Sequence, residues 1–412
     1  MTSITVTDGA SREGGGNSLL YDPKARGLLF QALLLIAVVA FFAWIVENTV
    51  TNLAEQNKRS GFGFLEETSG FQILTTLGTY FIESRPGRAT YLDVFWIGVI
   101  NTLIVAVTGI VAATILGFVM GVFRLSSNIV LSTFATVYVE LLRNIPLLLQ
   151  ILFFYIVTLR ALPWPRDEPL GATSFGLNIT GLYAPFPVTS AGFSTVMWAL
   201  LAGLALAWLL GWLADRQQAA TGQRFPAFWL GLAAIVILPL VAYYLTDRPL
   251  TWEQPEFRTD GPVLRRGYQD GVGMVIKPEF IALWLALSLY TASFIAEIVR
   301  AGILAVPSGQ TEAAYALGIR PNVTLRQVII PQAMRVIIPP LTSQFLNLTK
   351  NSSLAVAIAY PDVVSVFAGT ALNQVGQEIE MIVMMMLVYL VFSLGTSAFM
   401  NWFNDRVALV ER

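Results

Sequence analysis

Cysteine and histidine are both absent from this 412-residue chain. Without thiols there is no disulfide and no cysteine nucleophile. Without imidazole there is no Ser–His–Asp triad, no histidine metal ligand and no histidine proton relay. Charge is scarce as well: Asp, Glu, Lys and Arg make up 12% of the residues, against about 25% in soluble domains. The formal net charge of −1 leaves no basic footprint for nucleic acid. The lysines are Lys24, Lys58, Lys277 and Lys350, and none follows a glycine. A GxxxxGK[ST] phosphate loop is therefore excluded; if ATP drives this protein, another chain hydrolyses it.

Apolar residues fill the space. The chain is 55% hydrophobic with a mean hydropathy of +0.66, which describes a polytopic protein whose solvent is membrane lipid. Residues 1–27 are polar and Gly-rich around Gly14, Gly15 and Gly16, a composition expected to form a disordered cytoplasmic tail. Lys24 and Arg26 then precede an uncharged run over 28–46. That run is longer than a signal-peptide core and lacks a cleavage site, so it reads as a retained span with its N-terminus inside.

Residues 28–92 thus hold an extra first span and an outer loop. Residues 93–160 hold two more, over 95–122 and 130–159, with an inner turn at Arg124 and Ser126. Residues 161–277 read as an insertion with two further apolar stretches, 196–213 and 228–245, joined by a loop bearing Asp215, Arg216 and Arg224. Residues 278–412 contain a span over 280–304, a return over 336–348, a mixed outer segment over 350–377 and a last span over 379–402. The expected fold is all-α, a membrane helical bundle of about eight spans with both termini cytoplasmic. Trp44, Trp96, Trp198, Trp208, Trp212 and Trp402 fall near span ends as an interfacial belt.

The stretch PSGQTEAAYALGIRPNVTLRQVIIPQAMRVIIPP, residues 307–340, combines helix formers with spaced basic residues. Ser308 suits an N-cap, Glu312 favours the helix dipole, Gly318 suits a left-handed stop and Pro321 blocks continuation. Asn322 then caps a second short helix carrying Arg326, Gln327 and Arg335, kinked at Pro331. The pattern also fits a DNA-binding helix-turn-helix, but that module needs a soluble basic domain, and membrane-length segments flank this one. Arg300, Arg320, Arg326 and Arg335 cluster with few acids nearby, which marks the cytoplasmic side.

Ionisable residues inside spans are costly enough to be functional candidates. Glu140, Arg143, Asn144 and Gln150 fall within about 120° of arc at about 100° per residue, beside Pro146, which would kink the helix. Either they line a translocation path, with Arg143 meeting a substrate carboxylate, or Glu140 and Arg143 pair at i, i+3 and brace the bundle. Glu297 and Arg300 form a second i, i+3 pair that lines the path or snorkels to the interface. Lys350, with Ser353 nearby, is a gate residue or another snorkelling cation.

Glu312-Ala313-Ala314, then Gly318 after three residues, then Val328-Ile329-Ile330-Pro331 after nine, resembles the EAA loop of ABC importer permeases, with Val and Ile replacing the usual Ile and Leu. ELLRNIPLLLQ, residues 140–150, resembles E-x-x-R-G-T-P-x-x-x-Q of polar-amino-acid permeases, although Asn144-Ile145 replaces Gly-Thr. FIAEIVRAGI before PSGQTEAA, and KNSSL from Lys350, resemble further phrases of the same family. The extra first span and the insertion resemble the long, Q-type subunit of general L-amino-acid uptake systems.

The resemblance implies a type I importer core in a bacterial inner membrane. Its coupling loop spans 307–335, with Gln310, Glu312, Ala313, Ala314, Leu317, Gly318, Ile329 and Pro331 at the ATPase contact. Glu140, Arg143, Asn144, Gln150, Glu297, Arg300, Lys350 and Ser353 would belong to the path or gate. The implied partners are an ATP-binding subunit dimer, a second permease in a heterodimer, an extracytoplasmic substrate-binding protein and an L-amino acid. Cofactors would be none on this chain, with ATP and Mg on the ATPase, so the chain itself is not an enzyme. Two rival classes are a self-contained ion-coupled secondary transporter, which predicts uptake by this chain alone, and a scaffold or sensor, which predicts ATPase binding without flux.

Overall fold

A helix satisfies its own backbone hydrogen bonds and so tolerates lipid, and long helices dominate the computed structural model. The structure describes residues 23–55, 61–73, 75–82, 88–167, 169–172, 174–223, 225–259, 262, 266–269 and 271–407. Of the disordered tail expected over 1–27, residues 1–22 lie outside the described residues, as does Arg224, while residues 23–27 are helical instead, running unbroken into the first span. The chain divides into a smaller unit, Met1–Phe62 with Gly376–Glu380, and a larger one, Gly63–Val375 with Met381–Arg412. In the smaller unit α1, Pro23–Glu55, contains the expected first span, and its large apolar side chains are exposed, as on a helix solvated by lipid.

The larger unit opens with a 3₁₀ turn, Gly63–Glu66, whose Phe64 is buried. Helix α2, Tyr91–Arg124, starts at a capping box: the Thr90 hydroxyl accepts from the Asp93 N–H, and the Asp93 carboxylate accepts from the Thr90 N–H. Asn128 caps α3, Ile129–Asn144, by accepting from the Val130 and Leu131 N–H groups. The span expected over 130–159 is broken. Ile145 is extended at φ −98 and ψ 129, the conformation a following proline imposes. Helix α4, Leu147–Ala161, therefore leaves at 107° to α3.

Residues 161–277 hold strands that periodicity did not foretell. Strands β1 (Leu170–Ala172), β2 (Phe175–Asn178), β3 (Gly181–Ala184) and β4 (Phe186–Thr189) lead into α5 (Phe193–Thr221) and α6 (Ala227–Leu245). Strands β5 (Leu250–Glu253), β6 (Phe257–Arg258), β7 (Gly267–Tyr268) and β8 (Met274–Ile276) follow. One antiparallel sheet has the order β1-β2-β3-β8, and β4 pairs with β5 and β6 with β7. Leu182 faces Ile276, and Val188 faces Thr251. The two ends of the segment are thereby tied together, and α5 and α6 rise as a pair from adjacent strands.

Helix α7, Pro278–Leu304, begins with proline at N1, where its missing N–H is harmless. It is the hub: 56% of its most apolar stretch is buried, against 0% for α1, and it packs on α2, α3, α4 and α10. Contact with α2 is close because the facing residues are small. A Cβ added at Gly117 would lie 2.5 Å from Ile295 Cβ, and one at Gly121 would lie 2.7 Å from Val299 Cβ. Such seams are how membrane helices gain packing energy without a hydrophobic drive.

Beyond α7 come α8 (Ser308–Ala316), α9 (Pro321–Thr324), a π turn over Leu325–Ile329 and α10 (Ile330–Asn351). A 3₁₀ stretch, Ser352–Ile358, a π turn, Ser365–Ala371, α11 (Leu372–Val375) and α12 (Glu378–Val407) complete the chain. Among the described residues six helices are long and apolar enough to cross a membrane, or seven if the bent α3–α4 pair is one span. The return expected over 336–348 lies within α10, which is amphipathic because Ile337, Ile338, Leu341 and Leu348 pack into the core around Ile151, Leu287 and Ile295. A helix shielded by protein needs less apolar surface than one facing lipid.

These contacts set a contrast in sign. Gly121→Ala forces a Cβ into α7 and is expected to destabilise the detergent-extracted protein by about 1–3 kcal/mol. Gly211→Ala, on α5 with nothing within 4 Å, gains helix propensity and is expected to be neutral or stabilising. Thermal unfolding of the two variants reads the difference, and equal melting temperatures would refute the seam.

Candidate functional site

Gly117, Gly121 and Arg124 follow i, i+4, i+7, so all three face α7. Arg124, 13% exposed, donates from Nη1 to Glu297 Oε2, and its Nη2 lies 3.9 Å from Glu140 Oε1. Glu297 also accepts from Arg300 Nη2 at 2.6 Å and from Nε at 3.2 Å. The Arg143 guanidinium sits 5.1 Å from the centre of the Phe294 ring, one turn from Glu297. Three helices thus contribute to one charge cluster at the end of the α2–α7 seam. The expected Glu297–Arg300 pair is present. The expected Glu140–Arg143 pair is replaced, because Arg124 draws Glu140 while Arg143 stacks on α7. Arg124 had been placed in a turn; the glycines on its own face are the signal that puts it between helices.

The four-residue polar stripe does not survive the break at Pro146. Asn144 Nδ2 donates back to Glu140 O at 2.7 Å, and buried Gln150 donates from Nε2 to Leu142 O and Ile145 O at 2.8 and 2.9 Å. Those carbonyls belong to the broken end of α3 and lack helical partners. Gln150 is therefore a cap across the break, on a helix bent 107° from α3.

The coupling loop departs from expectation at its caps. Pro307, not Ser308, precedes α8, and Arg320 precedes α9 with Pro321 as its first residue, so Asn322 is inside. The second helix is not short. It runs through the π turn into α10, and the wider turn sits where Pro331 would otherwise clash with the preceding turn. Gly318 holds φ +71; its N–H donates to Tyr315 O and the Ile319 N–H to Ala314 O, at 2.9 and 3.0 Å, a Schellman stop that favours glycine. Ala314 is buried, while Glu312, Ala313 and Leu317 are exposed, Leu317 by 79%. Gln332 donates to Gln310 Oε1 at 3.2 Å and ties α8 to α10. Ile329 closes the π turn.

Lys350 and Ser353 fall elsewhere, at the end of α10 and in the 3₁₀ stretch after it. Ser353 donates to Lys350 O at 2.8 Å, and both residues line an apolar groove with Ile382, Met386 and Leu390 of α12. The candidates therefore occupy four places: the charge cluster, the α3–α4 break with Asn144 and Gln150, the 307–335 loop and this groove.

A polar centre that the sequence did not flag holds the other end of the seam. Buried Asn101 of α2 accepts from the Gly78 N–H at 2.8 Å and donates to Thr76 Oγ1 and Pro361 O at 3.1 and 2.9 Å. Thr102 Oγ1 accepts from the Val363 N–H at 3.1 Å. Tyr80 accepts from the Val275 N–H at 2.9 Å and donates to Gly273 O at 3.3 Å; its ring centre lies 4.5 Å from that of Phe186. Burial holds the Tyr80 phenol above its ordinary range, so it remains a neutral hydroxyl able to serve both roles. The sheet of the 161–277 segment is thus pinned to α2 through the 76–80 turn.

Residues 199–409 match the family model described as binding-protein-dependent transport system inner membrane component. The chain is 48% identical over 398 residues to the general L-amino acid transport system permease protein AapQ of Rhizobium johnstonii, across 96% of this chain and 95% of that protein. It is 48% identical over 397 residues to the putative amino-acid ABC transporter permease protein YhdX of Escherichia coli, across 96% and 98%. A solved structure described as an amino acid ABC transporter with histidines is similar at a TM-score of 0.44 and 20% identity, over 77% of this chain and 95% of that one.

The charge cluster makes a measurable claim. In a double-mutant cycle of Arg124→Met with Glu297→Gln, read by thermal unfolding in detergent, a coupling of about 1–3 kcal/mol is expected for groups in direct contact. The same cycle between Arg143→Met and Glu140→Gln is expected to give a coupling near zero.

Proposed function

The chain belongs to the binding-protein-dependent, inner-membrane permease family of amino-acid ABC transporters, and we propose that it is the long permease subunit of an ATP-driven L-amino-acid importer. An extracytoplasmic binding protein delivers substrate to this chain and a second permease, and a dimer of ATP-binding subunits drives them between outward and inward access. ATP and Mg are bound by those subunits, and this chain contributes no catalytic residue. The basic end, with Arg300, Arg320 and Arg326, faces the cytoplasm by the positive-inside rule, and both termini lie on that side. Residues 93–160 and 278–412 form the permease core, and 161–277 is an insertion into it.

The observation that carries the reading is the state of α8. It is a nine-residue helix with exposed Ala313, Tyr315 and Leu317, joined directly to α7 and α10, which line the core. A short helix with small residues admits close approach by a partner, and a push on it reaches the bundle through two stiff helices. The charge cluster, with Glu140, Arg143, Glu297 and Arg300, sits at the start of that lever and is proposed to change partners as the spans reorient. Lys350 and Ser353 are proposed as gate residues, with Asn144 and Gln150 supporting the path at its break.

Co-purification tests the assembly. The tagged chain, extracted from its native membrane in mild detergent, is expected to bring down an ATPase with a phosphate-binding loop and a second permease. A homogeneous preparation without an ATPase, active on an ion gradient, would establish the secondary-transporter reading instead. Gly318→Val tests the lever. A β-branched residue at a left-handed backbone costs about 1–2 kcal/mol, and uptake is expected to fall by about tenfold with normal membrane insertion. Normal uptake at normal expression would refute the coupling role.

A further inference from the structure

A cavity of about 480 Å³ lies where the sheet of the 161–277 segment meets the permease core. Its walls come from three places: the 71–76 stretch, the β2–β3 turn with Thr180, and the segment from Ala359 to Thr370. Its remaining edge is the start of α7, which contributes Lys277 and Glu279. The volume lies within the range of small-molecule pockets, and since a water takes about 30 Å³, a free amino acid fits with part of its hydration shell.

The charges are arranged to receive something. Among the described residues the Lys277 ammonium has no hydrogen-bond or ion-pair partner and does not pair with Glu279. Glu279 has a single weak contact, from the Tyr155 hydroxyl to Oε1 at 3.4 Å, which leaves its second oxygen uncommitted. Phe71, Ile179 and Val366 supply an apolar wall, and Gln72 and Thr370 supply polar atoms. The walls are held in place: Asn101 fixes Thr76 and Pro361 together, and Tyr80 fixes the sheet through Val275. One cation and one anion two residues apart, beside an apolar wall, match the carboxylate, ammonium and side chain of an α-amino acid.

We propose that this cavity is a site for a free amino acid, separate from the charge cluster at the opposite end of α2. Lys277 receives the carboxylate, Glu279 the ammonium, and the Phe71–Ile179–Val366 wall takes side chains of varied shape. The site rests on the reading of the chain as an amino-acid importer, and places its cavity on the outer face. It gives the insertion a role as the lid-side wall of a holding site.

The test uses the assembled transporter in lipid nanodiscs without its binding protein, with L-glutamine as the probe in equilibrium dialysis. Lys277→Gln and Glu279→Gln are each expected to weaken binding about tenfold, the loss of one charged hydrogen bond, while Lys277→Arg retains it. N-acetyl-L-glutamine and L-glutamine methyl ester, each lacking one charge, are expected to bind as weakly as the matching variant. Thr370→Tyr, which narrows the cavity from the wall of residues 359–370 and leaves both charges in place, is expected to abolish binding and covers a folding failure of the charge variants. Unchanged affinity in Lys277→Gln, Glu279→Gln and Thr370→Tyr, or equal binding of the acetylated probe, overturns the site. With the binding protein added back in a second assay, a loss of its association in the variants while free-glutamine affinity stays intact also overturns the site and assigns the cavity to a protein contact. ATP-driven uptake in proteoliposomes runs in parallel: its absence in the unaltered transporter refutes the importer reading, whereas its presence with unaltered dialysis in the variants refutes the cavity alone.

Discussion

The distance between α2 and α7 governs the larger unit. In lipid there is no hydrophobic force to press two helices together, so the gain must come from close packing and from polar contacts that have no better partner. Gly117 and Gly121 remove the side chains that would hold the backbones apart. Once they meet, Arg124 is carried into reach of Glu297 at one end, and Asn101 into reach of Thr76, Gly78 and Pro361 at the other. Each of those polar groups would be costly if left unpaired in a low-dielectric interior. The seam and its two polar ends therefore support one another: packing sets the geometry, and the need to satisfy buried charge keeps it.

This arrangement explains why some features were legible in the sequence and others were not. Lipid-length apolar runs, the coupling loop and its left-handed glycine are local, and each is written in consecutive residues. Gly318 is the clearest case, since a positive φ after an Ala-rich helix leaves little choice of residue. The break at Pro146 was visible as a kink, but its size depends on what receives the freed carbonyls, and that is Gln150. Periodicity alone placed Gln150 on a stripe with Glu140 because it assumes an unbroken helix.

Arg124 and Asn101 show a different limit. Both partner residues far along the chain, Glu297 in one case and Pro361 in the other; the glycines on Arg124's face mark it as facing a helix but do not name its partner, and Asn101 carries no local pattern that announces it. The strands of the 161–277 segment were missed because they are two to four residues long, and two of the pairings span a wide sequence gap, as Leu182 with Ile276 and Val188 with Thr251. Strand identity there follows from the partner and not from propensity. The expected return span failed the apolar criterion for the opposite reason: α10 buries one face, with Ala333, Ile337, Ile338, Leu341 and Leu348, against protein and leaves polar residues such as Arg335, Ser343 and Asn347 on the other.

The same physics bears on how a push at α8 travels. Helices transmit displacement along their axes, but a bundle moves only where contacts exist in two nearly equal arrangements. The α2–α7 seam offers no such freedom, because a shift of either helix drives Ile295 and Val299 into backbone. The charge cluster is less tightly specified: Glu297 accepts from both Arg124 and Arg300, and Glu140 stands 3.9 Å from Arg124, so Arg124 has two carboxylates within ion-pair distance. The broken α3–α4 pair, whose joint is capped by one amide side chain, supplies a hinge beside that cluster. On the coupling role proposed for α8, a push there meets the charge cluster at the end of α7 before it meets the close α2–α7 seam, so the packing that holds its shape lies beyond the paired charges.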